Sequence, residues 1–203
     1  IWPKHPRLCK RKTIYEGLQQ LGPQTSYAHQ SLVFGRSYIK VSSMKTDEDK
    51  KIKNFVLILP NILSGHYVGA IFRTADGAGV DKLYITGYTP CPPHVQIDKV
   101  SLGAEKWMPW EYHKQTGRLL KELKQMGYNI VALEQTKTSQ NIFNWQPKFP
   151  IAMVLGNEKT GVPKSFLKYC DESIEIPMKG KKNSLNVSVA TGIAMYQISK
   201  SII

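Results

Sequence analysis

Residues 149–203 open with FPIAMVLGNEKTG (149–161), continue through a short basic stretch, and close with ESIEIPMKGKKNSLNVSVATGIAMYQ (172–197) and a brief tail. Two apolar runs, Ile151–Leu155 and Ile174–Ile176, each stop at a loop dense in Gly, Asn, Glu, Lys and Ser. In an α/β protein, ligands gather where parallel strands end, because loops there aim backbone and side-chain groups into one crevice. Two such loops followed by a nearly all-apolar helix from about Asn186 read as a ligand site. The helix is its last wall.

Upstream the pattern is regular from Asn54 onward. Phe55–Leu59 reads as a short buried strand stopped by Pro60. A helix over Tyr67–Ala78 places Val68, Ile71, Phe72 and Ala75 on one face. A strand follows within Asp81–Gly87, then a loop whose Pro90, Pro92 and Pro93 forbid regular structure. Trp107–Tyr112 reads as a short strand. Thr116–Gly127 reads as an amphipathic helix with Leu119, Leu120, Leu123 and Met126 inward and Gly127 as its stop. Further strands are expected at Tyr128–Leu133, Phe149–Leu155 and Ser173–Ile176, with a helix at Pro163–Cys170 between the last two. This alternation predicts an α/β fold: a mostly parallel sheet flanked by helices.

The chain has 203 residues, enough for one domain or one domain plus an arm. Twenty-eight Lys+Arg against fifteen Asp+Glu give a net charge of +13. Such a surplus points to a polyanion partner, nucleic acid being the commonest, although solubility alone is served by any net charge. Residues 1–53 read as a basic N-terminal arm and linker, with a short helix at Thr13–Leu21 and a charged linker at Thr46–Lys53. No apolar run approaches a membrane span and no secretory signal shows, so a cytoplasmic protein is expected. Cys9, Cys91 and Cys170 lie far apart and read as reduced thiols. The five histidines have no metal-ligand spacing, so no metal is expected.

No phosphate-cradling GxxxxGK[ST] or GxGxxG loop is present. Three other clusters stand out. In Gly69-Ala70-Ile71-Phe72-Arg73-Thr74-Ala75, small residues allow close backbone approach, and Arg73 offers a planar cation for phosphate or carboxylate. Gly156-Asn157-Glu158-Lys159-Thr160-Gly161, taken alone, is a turn. In Lys179–Ser188, Ser184 either caps the last helix or serves a ligand, and the lysines either meet solvent or a polyanion.

Taken together and in this order, GAIFRTADGAGV, VLGNEKTGVP and IPMKGKKNSLNVSVATG resemble the three motifs of the SpoU/TrmH family. These are S-adenosylmethionine-dependent RNA ribose 2′-O-methyltransferases of the SPOUT superfamily. The likeness covers residues 54–203, the expected methyltransferase domain. It implies a trefoil-knotted domain in which the C-terminal segment threads a loop, and S-adenosylmethionine held by motifs 2 and 3. Leu155, Gly156, Ile176, Met178 and Leu185 match cofactor contacts, with Gln135 and Thr136 added from a strand end. A cofactor without phosphate fits the missing phosphate loop.

The resemblance also implies catalytic residues. Arg73 is the motif 1 arginine, and Glu158 the carboxylate that orients it. Ser184 and Asn186 are the polar pair of motif 3. Arg73, Lys159, Lys179, Lys181 and Lys182 would meet the RNA, either tRNA or rRNA. The family pairs subunits, so a homodimer is expected. One position departs from the pattern: Tyr67 stands where the family has Asn. That leaves a non-catalytic RNA-binding relative as the alternative to an active enzyme. A phosphate-binding α/β enzyme of another kind would need nucleotide binding without a Gly-rich loop.

Overall fold

The computed structural model describes residues 54–202. The expected basic arm, the Thr13–Leu21 helix and the Thr46–Lys53 linker lie outside the described residues. Strands β1 (Phe55–Pro60), β2 (Lys82–Thr86), β3 (Trp110–His113), β4 (Asn129–Leu133), β5 (Gln140–Asn141), β6 (Ile151–Val154) and β7 (Glu172–Glu175) form one sheet. Its order is β3-β2-β1-β6-β4-β7-β5, and every pairing is parallel. Helices α1 (Gly65–Ala78), α2 (Val95–Ser101), α3 (Thr116–Gln125), α4 (Lys164–Leu167) and α5 (Val187–Ser199) complete the described part.

An interior strand explains the layering. Every residue of FVLILP in β1 is buried, as a parallel strand covered on both faces requires. Alternate side chains therefore enter different cores. Phe55, Leu57 and Leu59 pack with Ile71, Phe72, Met195 and Ile198, so α1 and α5 cover one face. Val56 and Ile58 pack with Leu119, Leu120 and Leu123 of α3 on the other. Helices α1 and α2 touch closely at Gly69, where a Cβ would lie 2.7 Å from the Ile97 carbonyl oxygen. The small residue there serves the close approach expected from the sequence. Ser199 Oγ donates to the Ala78 carbonyl and fastens the end of α5 to the end of α1.

Several expectations need correction. Met126 is 68% exposed rather than inward. Helix α3 stops at Gln125, and Gly127 turns the chain away with φ 86°. Helix α2 has no counterpart in the sequence reading; only Ile97 and Ser101 of its residues are buried, too few to set a period. Trp107 lies outside β3, after a 3₁₀ turn at Ala104–Lys106. In α5, Val189 and Tyr196 remain exposed while Thr191, Ala194, Met195 and Ile198 are buried, so one face alone joins the core. Cys170 is a free thiol, as expected.

Leu120→Ala should lower the unfolding free energy by about 2–5 kcal/mol, the range for opening a cavity under a fully buried leucine. Met126→Ala should change it by less than about 0.5 kcal/mol, because its side chain already meets water. Urea denaturation midpoints of the two variants measure the contrast.

Candidate functional site at the strand ends

The loop after β6 is built by its own backbone. Leu155 donates its N–H to Ile58 O and is fully buried, and the chain then turns at Gly156. Asn157 and Gly161 exchange backbone hydrogen bonds of 3.0 and 2.9 Å, closing a small loop. Inside it, Asn157 Oδ1 accepts from the N–H of Lys159 at 2.9 Å, an Asx turn. A side chain at Gly156 would meet Gly161 Cα at 3.0 Å, so this corner admits only glycine without spreading the loop.

Two carboxylates anchor the loop to the sheet. Glu134, at the end of β4, accepts from Val162 N at 2.6 Å and from Gln135 N at 3.0 Å. It occupies the space a Gly161 side chain would need. Glu158 reaches 94–95 residues back along the chain and accepts from Leu63 N at 3.0 Å and Ser64 N at 3.1 Å. Ser64 is the N-cap of α1 but makes no side-chain cap of its own. A negative charge at that end is favoured by the helix dipole. Beside it, Asn157 Nδ2 donates to the Asn61 carbonyl.

The third loop is tied in by Gln135, whose Nε2 donates to Asn183 O at 2.8 Å. Asn186, not Ser184, caps α5: its Oδ1 accepts from Ser188 N at 2.9 Å and from Ser188 Oγ at 2.8 Å. Between these loops and the first turns of α5 lies a cavity of about 400 Å³. Of the residues expected from the sequence, Gln135, Gly156, Glu158, Lys159, Ile176, Met178, Ser184 and Leu185 line it. Leu155 sits behind the wall, and Thr136 is bonded to Ser139, outside the lining. Lys179, Lys181 and Lys182 are exposed beside it.

Arg73 is exposed on α1, roughly two turns in from the helix start, and is not part of the lining. Both Glu158 oxygens serve the Leu63 and Ser64 amides, and no ion pair joins Glu158 to Arg73. The glutamate therefore holds the start of the helix that carries the arginine. Tyr67, in the first turn of that helix, is partly buried and packs against the core.

The sequence reading missed Glu134, Glu175, Asn157 and Asn183 as lining residues. For Glu134 a signal existed: an acid directly after an apolar strand and directly before Gln135. Glu134, Glu158 and Glu175 thus line a cavity whose exposed flank is basic, and each carboxylate accepts a hydrogen bond from within the chain. Cys170 takes no part; burial pushes its thiol up to about 12, and a protonated thiol is a poor nucleophile. Among the described residues no group of three His, Cys, Asp or Glu is placed to hold a metal, and no helix is long and apolar enough to cross a membrane.

A parallel α/β sheet with a glycine-cornered cavity at the carboxyl ends of adjacent strands defines a ligand-binding α/β domain. The model of the SpoU rRNA Methylase family matches residues 54–196, and the chain belongs to that family. The TrmH family protein YacO of Bacillus subtilis (strain 168) is 32% identical over 198 residues, covering 94% of this chain and 79% of that protein. That match extends well into the segment before Asn54. The tRNA (guanosine(18)-2′-O)-methyltransferase of Aquifex aeolicus (strain VF5) is 35% identical over 75% of this chain and 72% of its own length. The crystal structure of an AdoMet-bound rRNA methyltransferase from Sinorhizobium meliloti superposes with a TM-score of 0.70 at 23% identity. It covers 75% of this chain and 58% of that one, and it bears on the fold alone.

Removing the Glu158 carboxylate leaves two backbone amides at the head of α1 without their acceptor. Glu158→Ala should cost about 1–3 kcal/mol of stability, the range for deleting one partner of a charge-assisted hydrogen bond. It should also speed hydrogen exchange at Leu63 and Ser64 ahead of the core strands. Exchange that stays at the wild-type rate would contradict the tether.

Proposed function

We propose that this chain transfers the methyl group of S-adenosylmethionine to a ribose 2′-hydroxyl of tRNA or rRNA. Membership of the SpoU family and the activities named for its relatives support the reaction class. The observation that carries it is the cavity itself. It stands at the ends of β4, β6 and β7, has no phosphate-cradling loop, and is cornered by Gly156. A ligand without phosphate suits such a site, and about 400 Å³ lies within the range of small-molecule sites. Gly156, Ile176, Met178, Leu185 and Gln135 would hold it, with Leu155 and Thr136 shaping the wall behind them. When bound, the cofactor supplies an electrophilic methyl group.

The chain's own residues supply the rest. A ribose hydroxyl is almost wholly protonated at neutral pH, so its oxygen must be aligned and its developing charge stabilised. We assign that stabilisation, and anchorage of the neighbouring phosphate, to Arg73. A guanidinium acts here as a planar cation and hydrogen-bond donor rather than as a base. Glu158 is a positioning residue that fixes the head of α1 and through it the arginine. Ser184, on the lining, orients the ribose. Asn186 spends Oδ1 on capping α5, which leaves its amide nitrogen to donate. Lys159, Lys179, Lys181 and Lys182 follow the RNA backbone.

The same reading includes a homodimer formed through the exposed Val189 and Tyr196 face of α5, bringing residues of two copies to one cavity. It includes a C-terminal segment threaded as a knot, which membership of the family supports. It also includes a cytoplasmic setting, and a division into residues 1–53 as arm and 54–203 as the methyltransferase domain.

Incubation of the purified chain with tritiated S-adenosylmethionine and total RNA should give label in RNA. Cofactor binding without transfer would instead favour a non-catalytic RNA-binding relative, with Tyr67 the first suspect. Arg73→Ala should cut transfer by roughly 100-fold or more while the cofactor Kd stays within about threefold. Gly156→Val should raise that Kd by about tenfold or more, because its side chain would force the 156–161 loop open; an unchanged Kd by calorimetry would refute the assigned role of this corner.

A further inference from the structure

Two large apolar side chains stand in water at the rim of the cavity. Tyr88, in the loop after β2, is 61% exposed, and Leu63, in the loop after β1, is 46% exposed. Neither is loose. Tyr88 donates its backbone N–H to Asn61 Oδ1 at 3.3 Å, and its phenol oxygen accepts from Asn157 Nδ2 at 3.4 Å. Leu63 donates its N–H to the Glu158 carboxylate. Asn157 and Glu158 both line the cavity, so the Tyr88 ring and the Leu63 backbone are fastened to its wall while both side chains remain exposed.

The support beneath Tyr88 is stiff. Asn61 adopts a left-handed conformation at φ 57°, and its side chain fills the place a Cβ on Gly87 would take. Its N–H donates to Thr86 O, and its carbonyl accepts from Asn157 Nδ2. Next door, Thr89 Oγ1 donates to Leu59 O and accepts from Ile62 N at 2.9 Å. Three strand-end loops are thus cross-linked around the base of one aromatic ring. Holding a tyrosine still costs side-chain entropy, and at 61% exposure this ring recovers little of that cost through burial in its own chain.

We propose that Tyr88 is a stacking platform for an unpaired nucleobase of the RNA substrate, next to the nucleotide whose ribose enters the cavity. Leu63 forms the apolar flank beside it. The proposal rests on the reading of the chain as an RNA ribose methyltransferase and adds a residue that meets the base beside the reacting nucleotide. Every base offers a π-face, whereas bases within an A-form duplex are stacked on one another and unavailable to an aromatic side chain. A net charge of +13 draws the phosphate backbone to the protein, and the platform then selects RNA whose bases are free.

The test measures the Kd of the full-length protein for a fluorescein-labelled unpaired RNA oligonucleotide and for the same sequence annealed into a duplex. The variants are Tyr88→Ala, Tyr88→Phe and Tyr88→Trp. Tyr88→Ala should weaken binding to the unpaired RNA roughly tenfold and leave duplex binding within about twofold. Tyr88→Phe and Tyr88→Trp should stay within about threefold of wild type, because the ring remains. Calorimetric S-adenosylmethionine affinity, compared across the variants, reports whether the neighbouring wall is intact. Equal losses on duplex and unpaired RNA would overturn the proposal. So would unchanged binding by Tyr88→Ala, or a loss by Tyr88→Phe as large as that by Tyr88→Ala, which would move the role to the Asn157 contact. Failure of wild type to transfer label would refute the methyltransferase reading alone, since the stacking result is read from binding.

Discussion

The carboxylate of Glu158 on the amides of Leu63 and Ser64 is the constraint on which the site depends. It joins the loop after β6 to the head of α1 across 94–95 residues of sequence. Backbone N–H groups at a helix start are otherwise unsatisfied, and a carboxylate there gains both hydrogen bonds and a favourable dipole. The same loop is held from the other side by Glu134 on Val162 N. A short glycine-bounded turn thereby becomes a fixed wall, although its own residues bury little apolar surface. The Gln135 bond to Asn183 extends the same arrangement to the third loop.

Beneath these loops the parallel sheet supplies rigidity. Its central strands are sealed on both faces, so the strand ends keep their spacing, and polar groups that emerge from them are aimed rather than mobile. Helix α1 couples the two layers of organisation. One of its faces is core, its N-terminus is clasped by Glu158, and its exposed side carries Arg73. A disturbance at the clasp therefore reaches the arginine through a stiff element.

Much of this is written plainly in the sequence. The unbroken apolar run of β1 and the face of α1 formed by Val68, Ile71, Phe72 and Ala75 each carry a period that only one structure satisfies. The loops at 156 and 184 announce themselves by composition where strands stop. Other features depend on partners distant in sequence. Helix α2 has one buried aliphatic residue, Ile97, and so no readable period. Met126 fits the apolar stripe of α3, yet Gly127 ends the helix before that position reaches the core. The choice of Asn186 over Ser184 as the cap of α5 turns on where the helix begins, which local sequence leaves open by a residue or two. That Glu158 would spend both oxygens on the chain near Ser64, and not on Arg73, is a matter of tertiary geometry; no spacing encodes it.

Every residue that lines the cavity comes from β4 onward, and none from β1–β3 or from α1 and α2. The sheet is in this sense two territories sharing a border at Asn61, Leu63 and Ser64 on one side and Asn157 and Glu158 on the other. Loops of the first territory are free to diverge in length and composition without touching the walls that hold the small ligand, provided the border bonds survive. A lineage built on this plan can change which nucleic acid it serves by editing the loops of one half of the sheet, while the small-ligand cavity in the other half, and the helix that carries Arg73, are inherited intact.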